Sequence, residues 1–144
     1  MASLIPASIV DIYPSPYGFA VFIKADEKIF VIYVDKARGS AMQSAFEHSN
    51  TERPLSYEFI SQMLDALDGV VDSVVIYREE NGTYYTYMKV SMQNELGSKI
   101  AEVDGRPSDT LAVAMNVNAP IYVRADVLKK LPDMSDAYAK LKGE

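Results

Sequence analysis

Val103-Asp104-Gly105-Arg106-Pro107-Ser108-Asp109-Thr110-Leu111-Ala112-Val113-Ala114-Met115 passes from a β-branched run through a polar corner into an apolar helical run. Gly105 permits a sharp turn, and Pro107 suits the first helical position, where no backbone N–H is needed. The pattern predicts a strand over residues 99–103 and a helix reaching about Asn116. The same succession stands 69 positions earlier, in Val34-Asp35-Lys36-Ala37-Arg38-Gly39-Ser40-Ala41-Met42-Gln43-Ser44-Ala45-Phe46. There Ala41-Met42 and Ala45-Phe46 fall over Thr110-Leu111 and Ala114-Met115. A Pro-Leu or Pro-Ile step follows each helix, at Pro54-Leu55 and Pro120-Ile121. Such self-similarity indicates an internal duplication. The expected fold is therefore α+β: a single domain built from a duplicated β-β-α unit, with a mixed sheet or barrel-like core and flanking helices.

Outward from the two corners, residues 9–13, 19–24 and 29–34 form β-branched and aromatic runs. They are broken at Pro14-Ser15-Pro16-Tyr17-Gly18 and at Ala25-Asp26-Glu27-Lys28, so they read as strands joined by tight turns. A second helix carries a fuller signature. Ser56 is the expected N-cap, Glu58 lies in the first turn, Phe59, Ile60, Met63, Leu64 and Leu67 share one face, and Gly69 ends the run. Residues 70–77 and 83–92 flank Asn81-Gly82, which supplies the positive φ values of a type I′ hairpin turn. A short strand is expected over 120–123. The tail is helical, interrupted by Pro132 and resuming through Met134, Ala137, Tyr138 and Leu141. The whole chain, 1–144, reads as one domain, with its core at about 9–131 and a C-terminal helix over 133–142.

Composition narrows the chemistry. The 144 residues contain 20 Asp and Glu against 14 Lys and Arg, a net charge of −6, with no cysteine and one histidine. Disulfides, thiolate zinc sites, cysteine nucleophiles and any site needing two imidazoles are thereby excluded. The acidic balance opposes a broad nucleic-acid coat but permits a local basic pocket. The sequence shows neither a long uncharged apolar run nor a basic, hydrophobic leader, so no membrane association and a cytoplasmic location are expected. The ten tyrosines read as strand formers with half-buried rings, or as a stacking surface for bases.

Residues 104–109 are the densest group of chemically useful side chains. First-turn N–H groups beside Arg106 make a small anion site, for which a phosphodiester is one fitting ligand. Asp104 and Asp109 can then hold a divalent metal, Mg²⁺ or Mn²⁺, or activate water. On the structural side, Asp109 can simply complement the helix dipole and Arg106 can pair with either carboxylate. His48 follows a helix in a polar stretch, where a solvated imidazole is expected rather than a general base. No spacing of Ser, His and Asp supports a serine hydrolase.

Val103-Asp104-Gly105-Arg106-Pro107-Ser108-Asp109 with its helix, Ala119-Pro120-Ile121-Tyr122-Val123 after it, and Arg53-Pro54-Leu55-Ser56 about fifty residues earlier together resemble the bifunctional nuclease domain family. The resemblance extends from about Ile9 to Leu131. It implies hydrolysis of phosphodiester bonds in DNA, RNA or both. It implies catalytic roles for Asp104, Asp109 and Arg106, substrate contacts by Arg53, Ser108, Tyr57 and Arg38, and a metal site at Asp104 and Asp109. Two positions depart from the family pattern. Tyr57 stands in R-P-L-T-H-D where the family carries histidine, and Arg38 stands where I-G-x-x-E ends in a carboxylate. Exchanging an acid for Arg inverts local charge, which leaves Asp35 as the alternative acid. Arg53, Arg106 and Arg38 are expected near the two duplicated corners. A catalytically impaired binding or regulatory module is the competing reading. Edge strands and the apolar tail helix suggest a homodimer.

Overall fold

The computed structural model describes residues 3–143. Strands β1 (Leu4–Ser15), β2 (Gly18–Ala25) and β3 (Lys28–Val34) form an antiparallel meander that leads into helix α1 (Lys36–Phe46). Helix α2 (Ser56–Ala66) connects to a second meander, β4 (Gly69–Glu80), β5 (Thr83–Asn94) and β6 (Gly97–Gly105), which leads into α3 (Pro107–Val117). Strand β7 (Ile121–Arg124) and helices α4 (Ala125–Lys130) and α5 (Ser135–Leu141) complete the α+β chain.

The seven strands make one mixed sheet in the order β3-β2-β1-β7-β4-β5-β6. Strand β7 joins the halves, pairing antiparallel with β1 and parallel with β4. Each half is thus a β-β-β-α unit, one strand longer than the sequence repeat covers. The N-cap residues of α1 and α3 are Asp35 and Arg106. They lie 71 positions apart (106 − 35), against 69 for the repeat, because Gly105 and Arg106 lengthen the second corner. The equivalent caps therefore carry opposite charge.

The sheet is open, with β3 and β6 as its edges, so the barrel-like core expected from sequence is not formed. It curls instead. Tyr84, at the tip of the β4–β5 hairpin, stacks on Phe30 with ring centroids 6.0 Å apart and donates to the Val31 carbonyl at 3.3 Å. A large ring from one half thus leans on the edge strand of the other. Asn81 and Gly82 have φ values of 51° and 85°, as the hairpin reading required.

One face of the sheet packs on α1, α2 and α3, burying Ile23, Phe30, Val74 and Ile76 against Met42 and Leu111. Each such side chain contributes roughly 1.5–3 kcal/mol over its exposed state. Close approach of α1 requires Gly39, since a Cβ there would lie 2.3 Å from the Phe19 ring. On the opposite face, α5 covers the first meander: Met134 and Tyr138 pack on Ala20, Phe22, Ile29 and Val31. The rings of Phe22 and Tyr138 are 4.9 Å apart, and the Tyr138 hydroxyl donates to Asp11 at 3.2 Å. Of the tail's apolar residues, Met134 and Tyr138 are thus used inside the fold, while Ala137 and Leu141 stay exposed.

Helix α2 departs from expectation at its start and on its face. Its N-cap is Leu55, and Ser56 is the first helical residue. The orphan Leu55 N–H donates to the Glu58 carboxylate at 2.9 Å, which also accepts from the Thr51 hydroxyl. Of the five apolar residues expected on one face, Ile60 and Leu64 reach the core, while Phe59, Met63 and Leu67 remain 57%, 50% and 63% exposed. Among the described residues, no helix is long and apolar enough to cross a membrane.

Candidate functional site

Because α1 and α3 lie side by side, their N-termini open into one groove of about 310 Å³. Asp35 and Arg38 enter from the first corner, Arg106 and Ser108 from the second. Tyr33 at the end of β3 and Tyr84 at the hairpin tip close the sides. Two helix N-termini and two guanidinium groups border the same space, with Asp35 offsetting the charge of the first corner and Arg106 leaving that of the second open. This is the chemistry of an anion site.

The two corners supply their charges differently. Asp35 caps α1: one carboxylate oxygen accepts the Arg38 N–H at 2.9 Å, and the other pairs with the Arg38 guanidinium. The backbone hydrogen bond and then the guanidinium hold the Asp35 carboxyl below its ordinary range, so it stays ionised and is a weak proton acceptor at neutral pH. Arg106 occupies the N-cap of α3 without a side-chain hydrogen bond to the first turn, and Pro107 follows it. Its guanidinium is exposed, and the acid of this helix end, Asp109, stands in the first turn rather than at the cap and outside the groove lining.

A buried hydroxyl pair fixes this second corner. The Thr86 hydroxyl, inaccessible to solvent, donates to the Gly105 carbonyl at 2.6 Å and lies 2.7 Å from the Thr110 hydroxyl. Thr110 in turn reaches the Arg106 carbonyl at 3.3 Å. A Cβ on Gly105 would come within 2.7 Å of the Thr110 methyl group, so the tight contact requires glycine there. Ser108 is largely buried in the groove wall.

The remaining residues proposed from sequence lie elsewhere. Asp104 pairs across β5 with Tyr87, on the sheet face away from α3, and accepts the Tyr77 hydroxyl at 2.7 Å. That hydrogen bond raises the Tyr77 phenol above its ordinary pKa. Asp109 lies in the first turn of α3, in the helix layer on the other face. Tyr57 is buried, and its hydroxyl donates to the Ser44 hydroxyl between α2 and α1. Arg53 and His48 are exposed in the segment between those helices. The structure thus brings Arg38, Arg106 and Ser108 together and leaves Asp104, Asp109, Arg53 and Tyr57 outside the groove lining. Among the described residues, no three acidic or imidazole groups gather as a metal-binding cluster. Asp104 and Asp109 face opposite sides of the sheet, so they do not fit a shared Mg²⁺ or Mn²⁺ ion.

Tyr33, Tyr84, Thr86 and Thr110 were not singled out by the sequence. The available signal was Thr86, a small polar residue at an inward position of a strand otherwise rich in tyrosine.

A family model for the bifunctional nuclease domain matches residues 21–134, from within β2 to the residue before α5. This chain belongs to the bifunctional nuclease domain family. The matched region includes both corners and the whole groove lining. Two relatives from Mycobacterium tuberculosis, one of strain CDC 1551 / Oshkosh and one of strain ATCC 25618 / H37Rv, are described as uncharacterised proteins. Each is 27% identical to this bifunctional nuclease domain over 117 residues, covering 78% of this chain and 67% of the relative.

Proposed function

We propose that this protein binds nucleic-acid phosphodiesters in the groove between the N-termini of α1 and α3 and hydrolyses them. The observation that carries the reading is the convergence of Arg38, Arg106 and Ser108, from two corners far apart in sequence, on one space at two helix N-termini. Cations and helix dipoles so placed bind a phosphate and stabilise the additional negative charge that develops on its oxygens during displacement. Asp35 is the carboxylate that lines this space, and it takes the role of orienting the attacking water through a hydrogen bond. The tests retain Asp104 and Asp109 as the competing acids.

The experiment is cleavage of labelled single-stranded and duplex DNA and RNA, with Mg²⁺, with Mn²⁺ and with neither. Wild type is compared with Arg106→Gln, Asp35→Asn and Asp104→Asn/Asp109→Asn. The reading expects cleavage that Arg106→Gln and Asp35→Asn reduce at least tenfold. Cleavage abolished by the double aspartate change alone transfers the acid role to those residues. The absence of cleavage by wild type, with binding retained, favours a binding module. That second reading is supported by the tie between Asp35 and Arg38, which occupies the acid of the groove.

We also propose a homodimer, formed through α2 rather than the tail. Leu55, Phe59, Met63 and Leu67 recur every four residues and remain exposed. A ridge of that spacing packs against its own two-fold copy. Light scattering is expected to give twice the 16.0 kDa chain mass for wild type and the chain mass for Phe59→Lys/Met63→Lys. A monomeric wild type overturns the assignment.

A further inference from the structure

Beside the groove lies a second depression of about 510 Å³, lined by Ser15, Pro16, Tyr17, Tyr33, Val34 and Asp35. Tyr33, Val34 and Asp35 belong to both, so the two spaces share a wall. The volume falls in the ~300–1,000 Å³ range of small-molecule sites.

The tyrosines of this chain divide sharply. Tyr17 is 95% exposed and Tyr33 is 68% exposed, whereas the other eight are buried or half-buried. Strand propensity and packing account for those eight but not for a ring on a turn with almost no protein contact. The position of that turn is itself fixed. Gly18, next to Tyr17, approaches β3 so closely that a Cβ would lie 2.1 Å from the Val34 carbonyl oxygen. Backbone packing therefore holds the Tyr17 turn against the Val34–Asp35 corner, at the border of the groove.

We propose that Tyr17 and Tyr33 form a stacking shelf for one unpaired base of a single-stranded nucleic acid whose phosphate occupies the adjoining groove. The inference rests on the phosphodiester reading of that groove and specifies its substrate class. A duplex keeps its base faces stacked on one another, so only an unpaired nucleotide presents a π-face to the shelf. Stacking tolerates any base, and contact with an uncharged ring neutralises no phosphate and so releases no counterions. That matters for a chain of net charge −6, which gains little long-range attraction for a polyanion. Short-range contact with the base supplies affinity that the field of the whole protein does not.

The test measures fluorescence anisotropy with three labelled probes of equal length: an oligothymidylate, an abasic phosphodiester strand and a duplex, with probe integrity checked on gels. Wild type is expected to bind oligothymidylate roughly five- to a hundredfold more tightly than the abasic strand, and more tightly than the duplex. Tyr17→Ala should reduce the preference over the abasic strand several-fold, and Tyr17→Phe should preserve it, because the ring face and not the hydroxyl is used. Equal wild-type affinities for thymidylate and abasic strands, or a preference that survives Tyr17→Ala, overturn the shelf. Arg106→Gln is expected to weaken all three probes. If it changes none of them, the phosphodiester reading of the groove fails, and the shelf proposal fails with it.

Discussion

Replacing Thr86 with valine removes one hydroxyl while keeping a β-branched side chain of the same shape at a position with no solvent access. The lost hydroxyl donates to the Gly105 carbonyl at 2.6 Å and meets the Thr110 hydroxyl at 2.7 Å. Leaving buried partners short of a hydrogen bond costs roughly 1–3 kcal/mol. At about 2–4 °C per kcal/mol for a chain of this size, the melting temperature should fall by several degrees. Thr110→Val should also destabilise. The double variant should be less destabilised than the sum of the two, because each hydroxyl is then removed together with its partner, and coupling of roughly 0.5–3 kcal/mol is usual for groups in contact. Urea denaturation of the four proteins measures the cycle. The corner that carries Arg106 loosens at the same time, so phosphate-bearing ligands should bind more weakly to Thr86→Val. A stability change below about 0.5 kcal/mol, or strictly additive effects, would refute the view that this hydroxyl pair holds the corner.

Other expectations follow from the packing and the titrating groups. Gly39→Ala should destabilise: a helical Gly→Ala change alone gains about 1 kcal/mol, but the added methyl collides with the Phe19 ring at 2.3 Å, and overpacking costs roughly 1–3 kcal/mol. Burial pushes the Tyr84 phenol up to about 12 from the ordinary value of 10.0. Its folded-state preference for the protonated form is therefore fully present below pH 10 and lost as pH rises towards 12, and melting curves over that window should fall less steeply for Tyr84→Phe. The Asp35 carboxyl lies below its ordinary value of 3.8. Its cap is thus intact above that pH and lost as pH falls through the depressed value, so acid melting profiles of wild type and Asp35→Ala should converge.

The sequence made the local elements legible where chemistry is short-range. Asn81-Gly82 set the hairpin and Pro107 the start of α3, because each answers to its own backbone; Gly105, expected to allow a sharp turn, is instead the extended last residue of β6, and glycine is needed there for the contact with Thr110. Strand β1 begins at Leu4 rather than near Ile9, since Pro6 and Ser8 obscure an alternation that only pairing with β7 reveals. Tyr57, Ile60 and Leu64 of α2 turn inward, while Phe59, Met63 and Leu67 stay outside. The helix pattern showed an apolar arc without saying which part meets the core. The duplication pointed to two related corners, and both do border one groove. The fate of the aspartates depended on a finer matter. Successive residues of a strand alternate faces, so the two-residue extension of the second corner turns Asp104 towards Tyr77 and places Arg106 at the helix cap. The partnership of Thr86 with Thr110 spans 24 positions and is set by tertiary packing alone.

The most direct test of the groove is the salt dependence of oligonucleotide binding by wild type and by Arg38→Gln/Arg106→Gln, measured by anisotropy from low to physiological ionic strength. Each phosphate contact on a single strand contributes about 0.7 to the slope of log K against log salt. Two guanidinium contacts in the groove predict a slope shallower by about 1.4 in the double variant, with weaker binding at every salt concentration. An unchanged slope and unchanged affinity would contradict the assignment of the groove as the phosphodiester site.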